Sequence, residues 1–141
     1  PEDYVYFLSS SDILNEDMIS NFKIPRKADF NISGVHHIDK RDGFPVHIFE
    51  ANYVVVADPI QTHVERDGQR VITEIAQDIL NGKVKNLTKI RTYTIEDGVK
   101  LNLYHKDGSY SQEYLKDLKN RFKNYYYSLP FLWEVIPETS K

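Results

Sequence analysis

The chain contains no cysteine among its 141 residues, which excludes a disulfide scaffold and any metal site with thiolate ligands. It also lacks an apolar run approaching the roughly 18–20 residues that span a membrane, and no signal-peptide pattern opens it. No linker, repeat or low-complexity segment interrupts it. These absences leave a single soluble domain over residues 1–141 as the expected organisation.

Aromatic residues make up 13% of the chain, and ten of them are tyrosines. Tyrosine joins a large apolar ring to a polar tip, which suits a domain that meets a wet surface at its edges. Charge is uneven, because residues 1–82 carry 7 Lys and Arg against 14 Asp and Glu, whereas residues 83–141 carry 11 against 7. The basic half could meet phosphate or anionic lipid, or both halves could be ordinary solvated surfaces.

Three segments of the first half have the pattern of strands. Tyr4–Leu8 and Val35–Ile38 are short runs rich in aromatic or β-branched residues, which predicts strands. Tyr53–Ala57 is an unbroken apolar run, and the lack of polar alternation predicts a central parallel strand covered on both faces.

Helical segments are expected between these strands. Asn15 is placed to cap a helix whose inward residues are Ile19 and Phe22, a loop is expected over 26–34, and Val46–Ala51 is expected to form a short helical piece. The order predicts an α/β fold with a three-layer, mostly parallel, Rossmann-like sheet, helices on both faces, and a C-terminal β-hairpin plus helix.

The second half has clearer turn signals. A brief strand is predicted over Arg70–Ile72, and Thr73 is predicted to cap a helix that ends at Asn81–Gly82. Ile90–Ile95 and Val99–Tyr104 flank an Asp-Gly turn, which predicts a hairpin whose second strand has one buried and one wet face.

A final helix is predicted to begin at a capping box formed by Ser109 and Gln112. Its apolar stripe consists of Tyr114, Leu115, Leu118, Phe122 and Tyr125, the spacing of an amphipathic helix. The apolar tail Ser128–Glu134 is expected to pack back onto the sheet.

Candidate ligand-binding residues follow the predicted strands, because ligands of open α/β sheets gather beyond the carboxyl ends of the strands. These candidates are Ser10, Asp39, Arg41, Asp58, Gln61 and His63, and they could bind a sugar, a sugar phosphate or a nucleotide. No glycine-rich phosphate loop follows the first strand, which weakens the nucleotide alternative. The same residues could instead simply end strands with good turn chemistry.

Other site chemistries have weaker support. Adjacent His36 and His37 on a strand would point to opposite faces, and no His-x-x-x-His spacing occurs, so we expect no metal site. There is no Gly-x-Ser-x-Gly elbow, and we assign no catalytic residue and no cofactor. The lysines Lys116 and Lys119 fall on the wet side of an amphipathic helix, so we expect no nucleic-acid partner.

Three segments of the chain resemble a known family. They are residues 4–15 (YVYFLSSSDILN), residues 41–45 with 53–63 (RDGFP and YVVVADPIQTH), and residues 69–73 through 81–82 with 93–100 (QRVIT, NG and YTIEDGVK). In this order they resemble the soluble C-terminal portion of bacterial multi-span membrane glycosyltransferases, the group that includes protein mannosyltransferases and aminoarabinose transferases.

The resemblance implies an accessory, non-catalytic domain on the extracytoplasmic face of the cell membrane. It would partner the transmembrane portion of its own chain, and a lipid-linked sugar or a glycan acceptor. The family's catalytic acidic residues lie in loops between membrane spans, so none is carried onto a position here. The chain begins at Pro1 without an initiator methionine, which agrees with the expectation that it is a piece of a longer protein.

Overall fold

A computed structural model of the chain describes residues 3–9, 30–34, 43–95, 98–126 and 132–141, with the backbone alone described for Asp3 and residues 30–34. Five strands form an open mixed sheet in the order β2-β1-β3-β5-β4. The strands are β1 (Asp3–Leu8), β2 (Phe30–Gly34), β3 (Tyr53–Asp58), β4 (Leu87–Thr94) and β5 (Lys100–Lys106). The predicted α/β class is confirmed.

The run Tyr53–Ala57 lies in β3, the middle strand of the five. Its residues Val54 to Ala57 are all buried, because β1 and β5 flank the strand and side chains pack on both of its faces. The predicted central position is confirmed. The predicted parallel surroundings are only half right, since β3 is parallel to β1 but antiparallel to β5.

Two helices and three 3₁₀ turns accompany the strands in the described part of the chain. A π-helical turn over Val71–Ile75 runs directly into the short helix α1, Ala76–Leu80, and the longer helix α2 spans Gln112–Phe122. The 3₁₀ turns are Val46–Phe49, Arg66–Gln69 and Leu132–Val135. The first of these confirms the short helical piece expected before the central strand.

The predicted strand Arg70–Ile72 is wrong, because these residues are helical. Buried side chains recur every three or four residues from Ile72 to Ile79, which is the period of a helix packed on the sheet. Thr73 therefore lies inside the helical segment, where its hydroxyl donates to the carbonyls of Gln69 and Arg70 instead of capping a helix.

Two further boundaries differ from expectation. The loop expected over 26–34 contains β2, which pairs in parallel with β1, so long-range pairing outweighs the polar composition of this segment. The cap of α2 is Ser111 and not Ser109, since the Ser111 side chain accepts a hydrogen bond from the backbone N–H of Tyr114.

The predicted hairpin is confirmed by the antiparallel pairing of β4 with β5. The expected wet face of β5 is wrong, however, because Leu101, Asn102, Leu103 and Tyr104 are all buried. The reason is that both faces of β5 are covered: Leu101 and Leu103 belong to one buried cluster with Phe7, and Tyr104 belongs to another with Leu115. The exposed residues of the hairpin lie on β4, at the sheet edge.

Side chains on the two faces of the sheet form two clusters. The helix face includes Tyr6, Val54 and Val56, which pack with both helices and the 3₁₀ turn before β3. The second face is formed by Val5, Phe7, Val55, Ala57, Leu101 and Leu103, all of them buried. All five predicted residues of the α2 stripe belong to the helix-face cluster, so that prediction is confirmed.

Gly82 ends α1 with a positive φ of 71°. A Cβ there would meet nothing within 4 Å, so the cost of a substitution comes from the backbone conformation alone. We expect Gly82→Ala to lower the free energy of unfolding by about 1 kcal/mol. Asn tolerates this conformation better than Ala, so Gly82→Asn should lower the free energy of unfolding by less. Urea titrations of both variants measure the two losses. Equal losses for the two variants would contradict the conformational explanation.

Several expectations fall outside the described residues. They are the helix from Asn15 to Phe22, the strand Val35–Ile38, and the candidate ligand residues Ser10, Asp39 and Arg41. Within the parts of the chain that are described, no helix has both the length and the apolar character required to cross a membrane.

Candidate ligand-binding site

Three of the candidate ligand residues, Asp58, Gln61 and His63, lie at or just after the end of β3. We call these three residues the rim. Leu8 pairs with Val56 in parallel register, so Ser9 and Asp58 come to the same edge of the sheet. Ser9 is buried, and its hydroxyl has no hydrogen-bond partner among the described residues. Asp58 is exposed and pairs in register with Lys100 of β5.

The loop after Asp58 is organised by hydrogen bonds of its own. The Gln61 side-chain amide donates to the carbonyl of Pro59 at 2.9 Å. The fully buried side chain of Gln69 accepts from the backbone N–H groups of His63, at 2.8 Å, and Val64, at 3.3 Å. Sequence reasoning missed Gln69, whose burial next to a helix start has no local sequence signal. These hydrogen bonds order the loop through contacts within the chain.

A cleft of about 520 Å³ lies at the opposite edge, where β3 begins and β5 ends. One wall is Val46 and Phe49 from the 3₁₀ turn before β3, and the other is Val135 and Pro137 from the C-terminal segment. The lining is therefore largely apolar at its sides. Pockets of this size are typical of small-molecule sites in proteins.

Lys106, the last residue of β5, supplies a cation to this cleft. Its Nζ donates to the carbonyl oxygen of Phe49, at 2.9 Å, and to a main-chain oxygen of Lys141, the last residue of the 141-residue chain, at 3.3 Å. Burial lowers the pKa of Lys106, and the nearby Glu50 carboxylate opposes that shift. Glu50 also lines the cleft but is exposed, with its carboxylate 3.3 Å from Nδ1 of His47.

The C-terminal wall of the cleft is held by specific contacts. Ile136 is fully buried in the helix-face cluster, and the backbone N–H of Tyr110 donates to the Ser140 hydroxyl at 2.8 Å. The Tyr110 ring in turn meets Phe49 edge to face, with ring centroids 5.2 Å apart. Leu132 and Trp133 pack on the same cluster, so the expectation that the tail packs back is confirmed for its described residues.

A histidine–aspartate pair near the end of β5 was also missed. Nδ1 of His105 lies 2.8 Å from Oδ1 of Asp107, and the Thr88 hydroxyl donates to Oδ2 of Asp107 at 2.6 Å. The Tyr53 ring lies against the His105 ring, with centroids 5.2 Å apart. Successive strand residues point to opposite faces, so His105 and Lys106 do not share a site.

We expect Thr88→Val to raise the pKa of Asp107. The Thr88 hydrogen bond, followed by that of His105, holds this pKa below the ordinary value of 3.8. A lowered folded pKa stabilises the protein above the unfolded value, and that stabilisation is lost as the pH falls through the folded value. NMR titration of the carboxyl carbon measures the shift. Thr92→Val, on the same strand, is the control, and an Asp107 pKa unchanged by Thr88→Val would contradict the assignment.

Comparisons with known proteins supply no relative for this chain. No protein-family model matches it, and no curated protein or solved structure matches it either. A function therefore has to be argued from the sequence segments and from the geometry of the described residues.

The described geometry favours binding chemistry at the cleft. It brings an ammonium group next to apolar walls, a combination that orients a ligand through one polar contact and holds it by burial. At the rim, Asp58 ends β3, and Gln61 and His63 lie in the loop that follows it. Among the described residues, no three His, Asp or Glu side chains come together in a way that could hold a metal ion.

Proposed function

We propose that this domain binds a small molecule in the cleft between Phe49 and Val135. The observation that carries the proposal is a half-buried lysine facing a largely apolar cavity of about 520 Å³. The rim formed by Asp58, Gln61 and His63 is a less favourable location, because the Gln61 amide is already engaged within its own loop. Sugars, sugar phosphates and nucleotides are the ligand classes to test.

A thermal-shift screen against these classes tests the proposal. A ligand at a hundredfold excess over its Kd should stabilise the fold by about 2.7 kcal/mol. Val135→Trp should abolish that stabilisation by filling the cleft from its exposed side, since the Val135 side chain is 52% exposed. Val64→Trp is the matched control, because Val64 is 44% exposed and does not line the cleft. A screen in which no class stabilises the domain overturns the proposal.

A second candidate function concerns the whole protein from which the domain comes. The three quoted sequence segments support an accessory, non-catalytic domain of a membrane glycosyltransferase that uses a lipid-phosphate-linked sugar donor. Such a domain would lie on the extracytoplasmic face, beside the transmembrane portion of its own chain, and would bind or orient the acceptor. Ligand binding in the cleft is compatible with this role.

Two observations separate the second candidate from its rivals. The isolated domain, assayed with a lipid-linked sugar donor, should transfer no sugar, and clear turnover would reject a non-catalytic role. The full translation of the parent gene should contain a series of apolar spans before this segment. A parent without such spans would reject the membrane glycosyltransferase, while leaving the cleft proposal intact.

The three-layer arrangement, with helices on both faces of the sheet, is a separate structural proposal. The second face of the sheet is buried, with Val5 fully inaccessible and Phe7 1% exposed. We propose that the helix predicted from Asn15, with Ile19 and Phe22 inward, covers this face. Amide exchange and nuclear Overhauser contacts between Phe22 and Phe7 test it; contacts of Phe22 with the helix face would contradict it.

A further inference from the structure

Ile90 is an exposed apolar side chain between two cations on the edge strand β4. In the described sheet, β4 has a neighbouring strand on one side only. Lys89 pairs with Tyr104 and Arg91 pairs with Leu103, so Ile90 has no partner on β5 and forms a β-bulge. A bulge redirects a side chain out of the regular pleat. Ile90 is 53% exposed, and Lys89 and Arg91 are exposed beside it.

The charge on this part of the sheet is of one sign. The strands β4 and β5 together contain four Lys or Arg residues and no aspartate or glutamate, and the acidic residues of the hairpin lie between the two strands in the sequence. Within the described residues, no carboxylate forms an ion pair with Lys89 or Arg91. The Arg91 guanidinium lies over the ring of Tyr93, 5.8 Å from its centroid. Both cations next to the bulge can therefore meet an anionic partner.

The chemistry of this edge favours a lipid surface over other partners. Lysines and bulges on an edge strand hinder pairing with a further strand, but that role does not require an exposed isoleucine between the cations. A second copy of the chain is an unfavourable partner, because like charges would face each other across the strand pair. A specific protein interface is enriched in aromatic anchors over a broad patch, whereas a lipid bilayer requires no matching shape.

We propose that the β4 edge docks on an anionic lipid surface. Ile90 enters the boundary between headgroups and acyl chains, and Lys89 and Arg91 contact the lipid phosphates. Each cation near such a surface strengthens binding about fivefold. The net charge of −3 repels the same surface, so binding depends on this local patch, which also sets the orientation of the domain. The inference goes beyond ligand binding in the cleft and does not depend on it.

Co-sedimentation of the 141-residue chain with lipid vesicles tests the docking. Vesicles of equal parts phosphatidylglycerol and phosphatidylcholine should bind the chain, and vesicles of phosphatidylcholine alone should not. Binding should be lost as salt rises, because the Debye length falls from about 10 Å at 0.1 M to about 3 Å at 1 M. If the anionic vesicles do not bind the chain at low salt, the proposal is overturned.

Charge variants test whether the patch itself makes the contact. Lys89→Gln and Arg91→Gln should each weaken vesicle binding about fivefold. Lys116→Gln is the matched control, because it removes the same charge from an exposed position on α2. An equal loss in the Lys116 variant would show that only the net charge matters, and it would overturn docking through β4.

Variants of Ile90 test the apolar contact and separate a bilayer from an acidic protein. Ile90→Ser should weaken vesicle binding about fivefold or more, whereas Ile90→Trp should strengthen it, because tryptophan favours the membrane–water interface. Val64→Trp is the control, since Val64 is 44% exposed but lies outside β4, and it should leave binding unchanged. Unaltered binding in both Ile90 variants overturns the insertion of Ile90. Binding to soluble polyglutamate through Lys89 and Arg91, without binding to vesicles, would indicate an acidic protein partner and overturn the lipid proposal.

Discussion

Replacing Arg121 with methionine should lower the free energy of unfolding by about 3 kcal/mol, because it removes one partner of a largely buried ion pair. Its guanidinium contacts the carboxylates of Asp78, on α1, and Asp117, at 2.9 Å on α2. The Tyr114 hydroxyl donates to the same oxygen of Asp78 at 2.9 Å. The variant leaves the Asp78 side chain, only 12% exposed, without its closest charge partner.

Arg121 remains charged in this network despite its burial. Burial alone would lower the pKa of Arg121, but the hydrogen bond and the charge of Asp78 outweigh it, so the pKa is raised. A fifth of the Arg121 side chain is still exposed, so the expected loss is at the low end for buried pairs.

Lys83→Met is the matched control for the Arg121 variant. Lys83 also approaches Asp78, at 3.9 Å, and Asp117, at 3.3 Å, but its side chain is 54% exposed. Such exposed pairs contribute about 1 kcal/mol or less. Urea titrations of both variants provide the comparison, and equal losses would show that the interhelical network does not depend on Arg121.

The second large effect is expected for Phe122→Ala, with a loss of about 3–5 kcal/mol in the free energy of unfolding. Phe122 is fully buried at the end of α2. Its ring meets Phe44 and Tyr125 edge to face, with centroids 5.5 Å and 5.7 Å away, and the Arg70 guanidinium lies over it at 5.6 Å. Alanine would leave a cavity where three segments meet.

Ile90→Ala provides the contrast for this core substitution. Ile90 lies on β4 and is 53% exposed, so its truncation should change stability by about 0.5 kcal/mol or less. Thermal and urea unfolding of the two variants measure the difference. A small loss for Phe122→Ala would mean that α2 does not pack on the sheet as described.

The elements predicted correctly are those with a strong local pattern. The unbroken apolar run of β3 predicts burial on both faces, and the helical stripe from Tyr114 to Tyr125 predicts one buried side. Neither prediction depends on knowing which segments pack against the element. The Asp-Gly turn specified the hairpin in the same way. For β3, for the stripe of α2 and for the hairpin, the residues within the element are enough to predict it.

The wrong predictions concern residues whose state depends on distant partners. Arg70–Ile72 has β-branched residues but lies at the start of a helix, because the buried period continues from Ile72 to Ile79. Phe30–Gly34 has polar positions but forms a strand by pairing with β1. Leu101–Tyr104 alternates like a strand with one wet face, yet side chains from distant segments pack on both of its faces.

The candidate site shows the same division between local and distant information. Asp58, Gln61 and His63 are neighbours in the chain, so sequence alone could group them. The cleft instead combines Phe49, Lys106 and Val135 from three separated segments, which become neighbours only when the tail packs beside the end of β5. No short motif marks such a site, and only the folded arrangement reveals it.

Backbone amide NMR with the ligand that stabilises the domain most in the thermal-shift screen tests most directly whether the cleft is the ligand site of this domain. Chemical-shift changes should concentrate at Val46, Phe49, Lys106 and Val135, which line the cleft, and should disappear in Val135→Trp. Changes concentrated at the opposite edge, at Asp58 and in residues 59–63 that follow β3, would instead place the ligand site at the carboxyl ends of the parallel strands and contradict this conclusion.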